Sequence, residues 1–318
     1  MSEKEMEQLR LRARKLDRIA IAVSAAAFVV LVSATVRLAV AAGEKVTTSN
    51  LASLAGGVFL LPLLLAVGLY ALLYFGMVHG AYQKFNLAFK QTYVVDTIRA
   101  MGGFEDLRYA PGKGFSYNEV WDSCVVATGD AKYYGSEDLL TGVYRGLPFA
   151  CGDVVTKYLK RSGKKTREET IFCGQIMRFS LPREAKWSFG HLQIFEKELL
   201  SDLKGRTAPH RVQVENEAFN RRFQVFAADE HNAFYLLTPQ MLEQIVRFAD
   251  AAGSQTAMAF VGRSLYVAVN NDRSVFEASV KKPVAGQRQD IRAEAELLCR
   301  AGELLVLEAD GLSQPARN

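Results

Sequence analysis

The ionisable residues that stand together in this sequence fall into a few groups, each with a different chemistry. Asp229, Glu230 and His231 are consecutive, and three such side chains could supply a general base with its orienting acid if they converged. Neighbours on an exposed turn project in different directions, so the spacing argues for a polar turn. Glu137 and Asp138 adjoin in a stretch flanked by Gly135 and Gly142. Two carboxylates in such a loop begin a cation site or an acid/base pair. With no third ligand nearby in sequence, the expected role is a turn that hydrogen-bonds its own backbone.

The remaining motifs are negative. Cys124, Cys151, Cys173 and Cys299 form no CxxC pair and have no histidine at zinc-ligand spacing, which marks them as small apolar core residues in a reducing compartment. Gly112-Lys113-Gly114 lacks the glycine spacing and the following Ser or Thr of a phosphate-cradling loop. No GxSxG elbow, HExxH pair or Rossmann glycine pattern occurs. The expectation is no catalytic residue, no cofactor, no metal ligand set, and a protein that is not an enzyme.

Charge gives one candidate binding group. Lys157, Lys160, Arg161, Lys164, Lys165 and Arg167 surround Ser162-Gly163 and read as a basic hairpin tip. Such a cluster can hold anionic lipid headgroups at about 1 kcal/mol per residue. The formal net charge of +5 is modest, and no nucleic-acid motif accompanies the cluster, so nucleic acid is not an expected partner.

Two apolar runs, Ile19–Ala42 and Leu51–Val78, dominate the N-terminal part. Each has the roughly 20 apolar residues that cross a bilayer. The first exceeds the ~7–15 residues of a signal-peptide core, and a second run follows it at once. Arg10, Arg12, Arg14, Lys15 and Arg18 precede the first run, and Lys84, Lys90 and Arg99 follow the second, whereas the turn between them offers only Glu44 and Lys45. Positively charged flanks stay inside, which places both termini in the cytoplasm. Arg37 lies near the outer end of its span, within snorkelling reach of the headgroups. Neither span contains an acidic residue, so the pair reads as an anchor rather than a pore. Ala20 with Ser24, and Ala52 with Gly56, repeat at i,i+4 and suit close helix packing, within the hairpin or as a homo-oligomer seam. Pro62 is expected to bend the second span.

The rest divides by pattern into an amphipathic linker helix over 79–103, a first lobe over 104–200 that is mainly strands, a second α+β lobe over 205–310, and a tail from 311 to 318. The basic flank is 1–18. Ser116 and Glu119 have capping-box spacing for a short helix. Asp153–Lys160, Thr170–Phe179 and Lys186–Phe195 read as strands. Ser201–Pro209 is the candidate boundary between lobes. In the second lobe Phe219–Ala228 reads as a strand, Asp229–Asn232 as a turn and Ala233–Leu237 as another strand. Thr238-Pro239 starts a helix that Gly253 stops. Ala257–Val261 and Leu265–Val269 form a hairpin, and a last helix runs from Ile291 to about Leu307. The fold class is α+β: a two-helix transmembrane hairpin followed by a cytosolic domain with an antiparallel or mixed sheet and a few helices.

Several phrases carry a family resemblance. The two-span start, the segment around Asp138 and Gly142, Thr170-Ile171-Phe172-Cys173-Gly174, and above all Phe219–Pro239, FNRRFQVFAADEHNAFYLLTP, resemble a bacterial membrane-protein family known as domain of unknown function 3137. The resemblance extends through Phe276-Glu277. Family members usually carry Arg after Phe172, where this chain has Cys173, which argues against a charged site there. The resemblance implies this architecture and a bacterial inner-membrane address, and it brings no catalytic residues. The expected function is a non-enzymatic, membrane-anchored protein whose cytosolic domain binds a protein partner. The alternatives are a module that senses anionic lipid and an unrecognised enzyme using Glu137, Asp138 or His231.

Overall fold

A computed structural model of the chain describes residues 1–41, 56–162, 165–182, 188–196, 208 and 210–312. Helix α1 spans Glu3–Ala41 and helix α2 spans Gly56–Arg99. Both are long and apolar enough to cross a membrane, and only 11% of each apolar window is buried. A core helix of a soluble protein hides such a surface, whereas Leu38, Leu72 and Phe75 here are each 72% exposed. The turn carrying Glu44 and Lys45 lies outside the described residues, as does Ala52. Of the small residues, Ala20 and Ser24 on α1 and Ala66 on α2 are buried, while Gly56 has open space around it. Pro62 opens the regular α-helical stretch Leu61–Leu73, where its missing N–H is tolerated, and a π-helical turn precedes it.

The chain forms two compact units. The first comprises residues 1–89 and 278–287. Arg10, read above as part of the membrane-flanking charge, is instead buried and fixed. Its Nη1 donates to Val280 O at 2.7 Å and its Nη2 to Glu7 at 2.5 Å. Glu7 also accepts the Val284 N–H at 3.0 Å and is held below the usual glutamate range, chiefly by the Arg10 hydrogen bond.

The second unit comprises residues 90–277 and 288–318. Its strands are β1 Phe104–Ala110, β2 Gly135–Tyr144, β3 Leu147–Ser162, β4 Lys165–Ser180, β5 His191–Glu196, β6 His210–Val212, β7 Phe223–Ala227, β8 Gln255–Val261 and β9 Ser264–Asn270. Among the described residues they make one sheet, ordered β1-β2-β3-β4-β9-β8-β5-β7-β6, and every ladder in it is antiparallel. Strands read as belonging to two lobes therefore share a single sheet, joined through β4 and β9. Residues 201–207 and 209, the expected boundary, lie outside the described residues, as does Trp187.

Helices α3 Tyr117–Ser123, α4 Glu217–Arg222, α5 Glu230–Leu236, α6 Pro239–Ala252 and α7 Arg288–Leu312 complete the unit. Ser116 Oγ accepts the Glu119 N–H at 3.2 Å to start α3, and Thr238 Oγ1 accepts the Met241 N–H at 3.2 Å to start α6. Gly253 ends α6 at φ +59°, a conformation that costs glycine nothing. Replacing Thr238 by Ala leaves that amide without its cap and is expected to cost about 1 kcal/mol, measured by thermal unfolding.

Two expected strands became helical. Asn216 Oδ1 accepts the Phe219 N–H at 3.0 Å, so α4 occupies the first half of Phe219–Ala228 and β7 only the second. Asp229 accepts the His231 N–H at 2.9 Å and caps α5 where Ala233–Leu237 reads as a strand. Ala233 and Leu236, three apart, are buried, while Phe234 and Tyr235 are exposed. A short apolar run does not separate the two periods. The last helix begins at Arg288 and continues to Leu312, three residues earlier than Ile291 and beyond Leu307.

Gly174 has a defined reason to be glycine. A Cβ there would stand 2.0 Å from Val269 O, on the strand that joins the two halves of the sheet. Gly174→Ala must push β4 and β9 apart and is expected to cost about 1–3 kcal/mol, read as a lowered midpoint in denaturant unfolding.

Candidate functional site

The basic candidates lie on a two-stranded ribbon. β3 and β4 pair from Phe149↔Phe179 out to Ser162↔Lys165. β2 stops pairing with β3 at Val155, and β9 stops pairing with β4 at Gln175. Beyond these points the ladder continues without sheet neighbours, apart from a single bridge between Gly129 and Lys157. Leu159, Lys160, Arg161, Thr166, Arg167 and Glu168 are all exposed on it. Lys164 lies outside the described residues, and Lys165 contributes only its place in the ladder.

The ribbon is less basic than the sequence suggests. Lys160 and Arg167 stand opposite each other, a like-charge pair that weakens a ladder. Glu169 offsets it by binding Lys160 at 2.9 Å, and Glu168 binds Lys157 at 3.4 Å. These two glutamates follow the basic cluster directly in sequence. Arg161 and Arg167 enter no ion pair with a described residue; Arg161 shares the ribbon face of Leu159, and Arg167, opposite Lys160, lies on the other face.

A second site is buried and was not foreseen. β2 shifts register between Glu137 and Leu140, with Asp138 at φ +60°. This bulge is tolerable for Asp and carries Asp138 into a charged network. Lys90, on α2, has a side chain only 3% exposed and pairs with both Asp138 and Glu277. Tyr109 of β1 donates its hydroxyl to the other oxygen of Asp138. Asp153 of β3 accepts the Val275 N–H at 3.1 and 3.3 Å, and Glu294 of α7 accepts the Phe276 N–H at 2.7 Å. Phe276 has φ +58°, strained for a bulky residue. The segment Val275-Phe276-Glu277 is thus held at each residue by an ionisable partner, Asp153, Glu294 and Lys90 in turn.

Burial sets the protonation of this network. It opposes the Lys90 charge, but hydrogen bonds to Asp138 and Glu277 outweigh it and leave the ammonium above its ordinary pKa. Burial raises Asp153 to about 7, the Val275 N–H opposing and Asp138 adding to the rise. Glu294 is raised for the same first reason. Burial and the hydrogen bond to Asp138 push Tyr109 up, so it stays a neutral donor. The arrangement places fixed charges around a chain segment and holds one carboxyl that exchanges its proton near neutrality. Among the described residues, no three His, Cys, Asp or Glu side chains are placed to hold a metal ion.

The residues weighed as an enzyme alternative are not assembled. Glu137 and His231 are exposed. β2 is second in the sheet, and β7, which precedes the helix of His231, is eighth, so six strand spacings of ~4.8 Å separate them by roughly 29 Å. Among the four cysteines, Cys124 and Cys151 are buried, Cys173 and Cys299 are half-buried, and none is in a disulfide. The signal that could have found the network is Lys90 itself. It falls on the apolar face of α2, at helical spacing with the buried Tyr93, Val94 and Thr97.

These features define a class: an α+β domain on one antiparallel sheet, in a chain with two helices able to cross a membrane. Residues 170–304 match the family described as Protein of unknown function (DUF3137), the family that the sequence phrases resemble. A search of curated proteins found no match. The crystal structure of the mycobacterial trehalose monomycolate transport factor A, TtfA, is similar at 10% identity and a TM-score of 0.34, covering 67% of this chain and 96% of that one. At that score the similarity carries no argument.

Proposed function

We propose that this chain is a non-enzymatic protein anchored in a bacterial inner membrane by α1 and α2, with both termini cytoplasmic, and that its α+β domain binds a protein partner through the β3–β4 ribbon. The ribbon is the observation that carries this reading. A two-stranded ladder without sheet neighbours is only marginally stable, and this one keeps Leu159, Arg161 and Arg167 exposed, with the β3 edge met as far as Leu159, whose N–H donates to Asp130. Such an arm supports a partner by edge pairing with charge complementarity. The exposed apolar surface of α1 and α2 supports the anchor.

Alkaline carbonate extraction and protease accessibility test the anchor. The full chain is expected to stay in the membrane pellet, with the α+β domain digested only when the cytoplasmic face is open. Release by carbonate, or digestion from the outer face, contradicts the reading.

The second reading, contact with anionic lipid, draws support from Arg161 and Arg167. For the chain reconstituted in vesicles, a fluorophore at Leu159 would be quenched by brominated anionic lipid. Neutralising Lys164, Lys165 and Arg167 would relieve the quenching. No quenching in the parent chain rejects it.

A further inference from the structure

The chain enters the α+β unit at Lys90, leaves it after Glu277 for residues 278–287 of the first unit, and returns at Arg288. One π-helical turn of α2, Phe89–Val94, holds both ends of that excursion within the α+β unit. Lys90 pairs with Glu277 where the chain leaves. Tyr93 accepts a hydrogen bond from Arg288 Nε at 3.2 Å where it returns, with the guanidinium 5.3 Å from its ring centroid. Such single π turns inside α-helices recur at functional positions.

The two ends differ in chemistry. Arginine keeps its charge at every working pH, so the Arg288 end does not answer to protons. The Glu277 end stands in a cluster with more acid than base. Asp138 and Glu277 already share the Lys90 ammonium. Asp153 is 7% exposed and enters no ion pair with a described residue, and both its carboxyl oxygens accept the same donor, Val275 N–H. A buried carboxyl met by a single amide is favoured in its neutral form, in keeping with its rise to about 7.

Ionising Asp153 sets a further carboxylate beside the one ammonium. The ionisable groups facing it are Lys90 on α2, Tyr109 on β1, Glu137 and Asp138 on β2, Cys173 on β4 and Glu277 beyond β9, with Cys151 on its own strand and Glu294 of α7 one residue along the held segment. Of the two acids on Lys90, Glu277 is 41% exposed and Asp138 12%. Glu277 therefore loses less by turning to water. Phe276, held at φ +58°, is relieved of strain by the same movement.

We propose that this corner is a proton-operated clasp: when Asp153 gives its proton to water, the Lys90–Glu277 pair parts and residues 273–277 open, while the Arg288 end stays closed. The opening is local and leaves the sheet paired. It slackens one covalent crossing between the two units as the pH rises, and the clasp closes again on acidification.

Hydrogen exchange of the full chain in detergent micelles, read by mass spectrometry and divided by the intrinsic exchange rate at each pH, tests this. Closure is favoured below the aspartate's ordinary pKa and weakens up to its folded one, so exchange of residues 273–277 is expected to rise about twentyfold from about pH 5.5 to 7.5 and to level off above about pH 8. Residues 255–261 of β8 are expected to stay protected throughout. Asp153→Asn keeps the acceptor for Val275 and cannot titrate, so its exchange is expected to be flat with pH. Glu277→Gln alters a half-exposed side chain and is expected to leave 273–277 open already at about pH 5.5. An equal rise in β8 would mean that the whole unit unfolds, and it overturns the proposal. So does a 273–277 segment that ignores pH, that titrates alike in Asp153→Asn and the parent, or that stays as closed in Glu277→Gln as in the parent.

Discussion

Replacing Lys90 by Met is expected to lower the stability of the α+β unit by about 3–5 kcal/mol, the usual cost of removing one partner from a buried ion pair. The side chain is 3% exposed and contacts two carboxylates, Asp138 and Glu277. Methionine keeps the volume and leaves Asp138, 12% exposed, and the more exposed Glu277 without their cation. The loss is electrostatic, so it should be recoverable: adding Asp138→Asn and Glu277→Gln to Lys90→Met is expected to restore most of it, because a neutral network needs no counter-charge. Pulse proteolysis of the full chain in detergent measures both. If Lys90→Met alone were neutral, the ion pairs would not hold the structure together.

Asp153 gives the second large effect, and its sign is opposite to that of an ordinary salt-bridged carboxylate. Its folded pKa is about 7, against 3.8 for an ordinary aspartate. Between these values the folded chain keeps a proton that the unfolded chain has released. The stability held by the neutral form is therefore complete below about pH 3.9, falls as the pH rises, and is lost as the pH passes through 7. At 1.36 kcal/mol per unit, the whole change is on the order of 4 kcal/mol. The groups facing Asp153 are Lys90 on α2, Asp138 on β2, and Glu277 beyond β9. Asp153→Asn keeps an acceptor for the Val275 N–H and removes the titration. Above pH 7.5 the variant is expected to be more stable than the parent by a few kcal/mol, and its stability between pH 5 and 8 is expected to be flatter. Some slope from Glu294, raised in the same direction, remains. Parallel curves for the two chains would contradict this.

How far the sequence discloses such features depends on the range of the interaction. Caps are local, so Ser116 before α3 and Thr238-Pro239 before α6 are legible from spacing alone. The hairpin of β8 and β9 is legible for the same reason. Phe234 and Tyr235 misled because a run of adjacent apolar residues fits a strand, and the Asp229 cap that selects a helix resembled a turn. The joining of two expected lobes through β4 and β9 depends on pairing across about ninety residues, for example Gln175 with Val269, and no local pattern carries it.

The charged network shows the same limit. Lys90, Asp138, Asp153, Glu277 and Glu294 are scattered in sequence and meet only in the folded unit. Asp138 adjoins Glu137 in sequence, yet the bulge that turns it inward separates their roles. In the ribbon, the basic residues were legible and their partial neutralisation was not. Glu168 and Glu169 reach Lys157 and Lys160 only because the hairpin folds them alongside.

The same ribbon is where the account is most exposed to test. A photoreactive amino acid placed at Leu159, in the full chain and in native membranes, reports directly on what the arm touches. The account predicts a reproducible protein adduct from Leu159, lost when Arg161 and Arg167 are neutralised, and absent from a probe at Phe234 on α5. Adducts confined to lipid, or the same pattern from both positions, would contradict it.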